Sequence, residues 1–202
     1  MPSTEVVKRD RSGGEGQEEN HMFNIDVEEI TWALSLFPKS RSYLSIYDDF
    51  GLLRKRSVYA HCIHLDANDR ALMQSTGAAA AVCPTSNLFL GSGYFDYRAA
   101  DDAGMQYTLA SDVGGGTSFS PFHTMLAAYY TGRATVKTAL FQGGQPKLGM
   151  SLSPQNLWWQ HTAGAAKALD LEGVIGNLAV GCEADFIILN PGFSAVAGAT
   201  GT

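Results

Sequence analysis

The chain is poor in cysteine, short of positive charge and without a long unbroken apolar run. Its three cysteines, Cys62, Cys83 and Cys182, are an odd number, lie far apart and form no Cys-x-x-Cys pair. That excludes a disulfide framework and a structural zinc knot, and it fits a reducing, cytoplasmic setting. Lys and Arg number 14 against 20 Asp and Glu, for a net charge of -6. Proteins that hold nucleic acid by neutralising phosphates need the opposite balance, so no nucleic-acid partner is expected. The longest uncharged stretch, Ala71 to Phe95, is broken by Gln74, Gly77, Pro84, Asn87 and Gly91. No membrane span is therefore expected. The N-terminus has no apolar core of a secretory signal.

What the chain does have is enough apolar mass for a core. Its 202 residues are 45% hydrophobic, which supports one globular domain or one domain with a small appendage. Residues 1–20 are polar, with Gly13, Gly14 and Gly16, and read as a disordered leader. Residues 192–202 are small and Gly/Ala/Thr-rich and read as a frayed tail.

Between these ends helical and strand patterns alternate. Val27, Ile30, Leu34 and Phe37 recur at helical spacing and stop at Pro38. A second helix is expected over about 42–49, closed by Gly51. Ser57 to Leu65 reads as a buried strand. Asp66 and Asp69 open a helix that ends before Gly77. Ala78 to Cys83 reads as the next strand, stopped by Pro84. A short helix over about 96–103 precedes Gly104, and Gln106 to Ser111 reads as a third strand. Ser120 with Pro121 opens a helix to about Tyr130, and Ser153 with Pro154 another to about Leu169. Ala184 to Leu189 reads as a last strand. Such alternation predicts an α/β fold with a parallel sheet. It suits a piece of a (β/α)8 barrel as well as a small doubly wound sheet.

Few residues offer chemistry. His61 and His64 lie near the C-terminal end of the first strand, three apart, so they point to opposite faces and cannot share a site without a bulge. They are either site residues or hydrogen-bonded core histidines. Asp112, at the end of the third strand before Val113 and three glycines, suits a metal ligand or general base, or equally a turn aspartate. The Gly114–Gly116 run lacks the lysine of a phosphate-binding loop and the spacing of a dinucleotide fingerprint. Asn87 either bonds a ligand or orders its loop. Cys83 has no basic neighbour to form a thiolate, so nucleophile chemistry gains little support. His123, His161, Trp158 and Trp159 read as packing.

Taken together, LFPKSRSYLSIYDDFGLL (36–53), SVYAHCIHL (57–65), CPTSNLFLGSG (83–93), SDVGGGTSFS (111–120) and GNLAVGCEADFIILNP (176–191) resemble the second half of the guanine deaminase family of amidohydrolases. The match covers roughly 26–191, in order. The last segment is common to many amidohydrolases; the combination of the others is more specific. The resemblance implies an α/β fold: the later strands of a TIM-like (β/α)8 metal-dependent hydrolase barrel over 21–170. A remnant of the small β domain would follow over 171–202.

It also implies a zinc-dependent deaminase converting guanine, or a related purine, and water to xanthine and ammonia. Carried over by position, His61 is the sixth-strand histidine that orients the nucleophile and Asp112 the zinc aspartate. The family's His-x-His pair is absent from these 202 residues. The fifth-strand histidine would fall on Met22, with His21 one place early as a displaced metal ligand. Ile25 occupies the place of the catalytic glutamate, and Glu28 or Glu29 would need a shifted backbone to replace it. The leader looks like foreign sequence joined to a truncated enzyme. Alternatives stay open: a non-catalytic remnant that binds or assembles, or a deaminase of another aminated ring (chlorotriazine or methylthioadenosine type). An open half barrel is expected to form a homo-oligomer or to pair with a partner carrying the earlier strands.

Overall fold

The computed structural model describes residues 20–21, 27–141 and 152–188. Most of the expected leader and the whole of the tail lie outside the described residues. Four strands form one parallel sheet, β1 (Asn20–His21), β2 (Val58–Ala60), β3 (Ala79–Val82) and β4 (Gln106–Leu109), in the order β1-β2-β3-β4. A doubly wound sheet grows both ways from a central strand and so reverses order at a switch point. Among the described strands the order never reverses. That order is the one found in a sector of a singly wound barrel.

Helices fill the crossovers. α1 (Val27–Leu36) and α2 (Tyr43–Asp49) join β1 to β2, and α3 (Ala67–Thr76) joins β2 to β3. α4 (Pro84–Phe89) and α5 (Tyr97–Asp102) lead to β4. α6 (Pro121–Phe141), α7 (Pro154–Gln160) and α8 (Ala163–Ala168) follow it. The register aligns Tyr59, Ala80 and Tyr107 on one face. Helices cover that face: Tyr59 meets Tyr47 of α2 with ring centroids 5.3 Å apart, and Tyr107 meets Tyr97 of α5 at 5.8 Å. Leu44, Met73, Ala100, Met125 and Leu157 complete the same core. Alanine at all of the first three β3 positions keeps that central strand thin enough for helices to close over it.

Several expected boundaries move. The strand expected over 57–65 ends at Ala60, because His61 and Cys62 take left-handed backbone at φ 66° and 53°. Pro84 ends β3 as expected, but it is also the first residue of α4, whose first-turn N–H groups need no partner. α6 runs past Thr131 and Gly132. The Thr131 hydroxyl bonds back to the Ala127 carbonyl at 2.9 Å, and Gly132 leaves room for Leu152 to pack against the helix. The single helix expected over 153–169 is two. A Cβ at Gly164 would sit 2.5 Å from the Trp159 ring, so this glycine lets α8 fold against α7. Residues 184–188 form no strand, and Phe186, Ile187 and Ile188 are exposed. Leu189 lies outside the described residues. No described helix is long and apolar enough to cross a membrane.

One buried carboxylate ties two helix starts together. Asp69 is 3% exposed and is the third residue of the α3 capping box with Asp66. It also accepts from the Ser42 hydroxyl at 2.6 Å and from Arg41. Ser42 is itself the N-cap of α2. The Asp69 N–H, and then Arg41, hold the Asp66 carboxyl below the usual carboxylate range. Removing the buried acceptor leaves several donors unanswered. Asp69→Ala is expected to lower the unfolding free energy by about 2–4 kcal/mol. Urea denaturation measures it, and a loss under about 0.5 kcal/mol, the size of an ordinary surface substitution, would refute the linkage.

Candidate active site

In parallel α/β barrels chemistry collects at the C-terminal ends of the strands, where loops can vary without disturbing the sheet. Three such ends converge here. His61 directly follows β2, Cys83 directly follows β3, and Asp112 lies in the loop after β4. One donor atom from each of His61, Cys83 and Asp112 lies within 4.8 Å of the other two. His61 and Cys83 are buried and Asp112 partly so.

Backbone conformation aims these side chains. His61 and Asp112 both have positive φ, at 66° and 48°. For non-glycine residues this region is unfavourable and needs support from its surroundings. The His61 N–H supplies it by donating to the Ala81 carbonyl at 2.7 Å, which prolongs the β2–β3 ladder past the turn. After β4, the Gly116 N–H donates to the Asp112 carbonyl and closes the glycine loop. Gly115 matters for space. A Cβ there would come within 2.9 Å of Asp112 Oδ2 and 3.3 Å of Ser86 Oγ.

The orientation of His61 follows from one bond. His61 Nδ1 donates to Asn87 Oδ1 at 2.9 Å, within α4. An amide oxygen only accepts, so Nδ1 carries the proton and Nε2 is the ring nitrogen left for chemistry. Nε2 faces Asp112 Oδ2 at 3.7 Å. That is longer than a hydrogen bond, so the two groups flank a space rather than satisfy each other. The buried Ser86 hydroxyl has no partner among the described residues and borders the same loop. A polar atom or cation between these groups would complete them.

The remaining candidates fall elsewhere. His64 is exposed while His61 is buried, but neither lies in β2, so the turn at 61 and 62 rather than strand alternation sets their directions. His21 lies in β1, in register with Tyr59 of the neighbouring strand, and its side chain is outside the described atoms. The side chain of Glu28 is likewise outside them, whereas Glu29 accepts from the Tyr43 hydroxyl at 3.3 Å. Burial, with Asp112 beside it, pushes the Cys83 thiol up to about 12, which excludes a ready nucleophile. His123 is exposed on α6. Burial pulls the His161 pKa down, and its Nε2 has no partner among the described residues. Cys83 is the site member that nucleophile reasoning set aside. Its place immediately after a buried strand, in line with His61, was the available signal.

An Asn87→Leu variant is expected to release the ring. Nitrogen NMR of the His61 imidazole should show Nδ1 protonated in the parent chain and a mixture of tautomers in the variant. An unchanged spectrum would mean that Asn87 does not set the ring.

The Amidohydrolase family model matches residues 21–200 of the chain. Guanine deaminase of Escherichia coli (strain K12) is 37% identical over 164 residues, which is 81% of this chain and 34% of that protein. The crystal structure of guanine deaminase from Bradyrhizobium japonicum superposes with a TM-score of 0.77 at 30% identity, over 82% of this chain and 37% of that one. Guanine deaminase from C. acetobutylicum, solved with guanine in its active site, gives a TM-score of 0.67 at 28% identity, over 78% of this chain and 36% of that one. The chain thus spans about a third of the length of the relatives it matches.

Proposed function

The chain belongs to the amidohydrolase family, and from that premise we propose that it forms the later part of a zinc-dependent guanine deaminase. The reaction takes guanine and water to xanthine and ammonia. The observation that carries this reading is His61, oriented by Asn87, facing Asp112 across an open 3.7 Å gap at the strand ends. The resemblance to guanine deaminases, at 37% identity with the E. coli protein, favours guanine or a related purine as substrate. The free state of all three cysteines is in keeping with a cytoplasmic location. Residues 21–170 are assigned to the barrel and 171–202 to the remainder of the small β domain.

The donor set fits zinc in part. Asp112 and His61 offer the oxygen and nitrogen that zinc accepts, and the orphaned Ser86 hydroxyl marks a polar place beside them. Asp112 would hold the ion, joined by His21 if its side chain reaches. Zinc, when bound, lowers the pKa of water from about 15.7 to about 7. The protein groups do the positioning. Asn87 keeps the His61 proton on Nδ1, so Nε2 can accept a proton from the attacking water. The Asp112 carboxylate holds that water from its other side. Gly114 to Gly116 let the loop carrying Asp112 close without a side chain filling the space.

The His-x-His pair of the family is missing from these 202 residues. Without zinc held in the family's manner, making hydroxide costs about 9 pKa units, roughly 12 kcal/mol. The chain by itself is therefore expected to release no detectable xanthine from guanine. Replacing the part of the E. coli relative aligned with residues 27–191, so that the relative keeps its own fifth-strand histidine and glutamate in place of Met22 and Ile25, is expected to give an active, zinc-dependent chimera. Within it, His61→Ala should reduce xanthine formation by about a hundredfold or more. A folded, zinc-loaded chimera without xanthine release would defeat the proposal, as would one indifferent to His61→Ala.

Among the described strands β1 and β4 are the outermost of the sheet, and Phe119, Phe122, Leu126, Trp158 and Trp159 are exposed. Such a surface favours self-association or pairing with a segment bearing earlier barrel strands. Sedimentation of the purified chain is expected to show oligomers. A compact monomer at micromolar concentration would count against this.

A further inference from the structure

We propose that this chain holds zinc through His61, Cys83 and Asp112, with the Cys83 thiolate as a ligand in its own right. This rests on the reading of Asp112 as a metal ligand, and it departs from that reading in giving sulfur and His61 direct bonds to the ion. The three donor atoms lie within 4.8 Å of one another. Tetrahedral zinc with bonds of about 2.0–2.3 Å sets its ligand atoms roughly 3.3–3.8 Å apart. His61 Nε2 and Asp112 Oδ2, at 3.7 Å, already stand at that separation. The Cys83 sulfur belongs to the same group of donors.

Among the described residues His61 Nε2 and Asp112 Oδ2 make no hydrogen bond, and the Cys83 thiol makes one weak one. Asn87 occupies His61 Nδ1 and leaves Nε2, the arrangement by which an outer partner fixes a ligating imidazole. Cys83 takes the N-cap position of α4 but makes no side-chain cap bond, and its thiol donates to the Ala81 carbonyl at 3.3 Å, a weak bond given up when the sulfur binds metal. Cys62 makes the same kind of bond, to the Tyr59 carbonyl at 3.4 Å, but belongs to the hydrophobic core. The partnerless Ser86 hydroxyl beside Gly115 is placed to bond a water filling the fourth position. Binding is balanced by loss of one proton: the Cys83 S–H bond breaks, the proton goes to solvent, and the sulfur lone pair forms the metal–sulfur bond. With His61 engaged as a ligand it no longer orients water, so a zinc-loaded chain without deaminase activity is what this site produces.

The test uses the untagged full chain with zinc and with cobalt(II). X-ray absorption of the zinc-loaded chain should show one sulfur at about 2.3 Å with nitrogen and oxygen neighbours. Cobalt should give a thiolate charge-transfer band that persists in Cys62→Ser and vanishes in Cys83→Ser. Asn87→Leu should weaken zinc binding by about 10–100-fold. A zinc shell without sulfur, a cobalt band that survives Cys83→Ser, or no zinc retained would each overturn the site. The absorption measurement needs no variant, so a Cys83→Ser chain that fails to fold does not rescue it. These outcomes are independent of xanthine release by the chimera, which alone decides the guanine deaminase reading.

Discussion

The hydrogen bond from His61 Nδ1 to Asn87 Oδ1 joins the loop after β2 to the helix after β3, and the site depends on it. It is buried at both ends, so losing it would leave a polar group without water or partner, at a cost of about 1–3 kcal/mol. It also selects which imidazole nitrogen looks into the gap. Asn87 is in a position to do this because Pro84 starts α4 immediately after the strand, so that the first helical turn swings Asn87 back over the sheet end. The helix start and the histidine's chemistry are thus one feature, written as five consecutive residues from Cys83 to Asn87.

Strained backbone gathers at the same place. Of the non-glycine residues described with positive φ, His61, Cys62 and Asp112 belong to the two loops that carry the site. Each such residue costs of order 1–3 kcal/mol. The surrounding bonds determine the conformations regardless: His61 N–H to Ala81, and Gly116 N–H to the Asp112 carbonyl. A regular extension of β2 through Leu65 would have placed His61 by the pleat alone. The left-handed turn at 61 and 62 instead sends the imidazole toward Asp112 and returns Cys62 to the core, where it is 2% exposed.

Much of the architecture was legible because its signals are local. Asp66 with Asp69, Ser42, and Asp96 before α5 are caps whose side chains bond the backbone three residues on, and they mark helix starts directly. Gly77 at φ 73° marks a helix end because glycine takes left-handed backbone without a Cβ clash. His61 and Asp112 were legible as a pair only through the resemblance; as single residues they equally suited core and turn roles. The features that stayed hidden depend on contacts distant in sequence. The strand end at Ala60 comes from the turn at 61–62, and the break between α7 and α8 from Trp159 lying on Gly164. The joining of Cys83 to the site arises from parallel register, which aligns the ends of neighbouring strands whatever their spacing in the chain.

Parallel register also explains why an unreactive thiol and a metal ligand can be the same residue. Strand ends in a singly wound sheet present their first loop residues side by side, so a cysteine after β3 must stand between the loop that leaves β2 and the loop that leaves β4. Without a cation, that neighbourhood is poor for a thiolate: burial and the Asp112 charge both favour the protonated sulfur. A divalent ion reverses the sign of the local field, because its charge outweighs one carboxylate and desolvation then favours the paired anions. The quality that makes Cys83 inert as a nucleophile, burial beside a carboxylate, is also what places it where a zinc ion could be shared with Asp112 and His61.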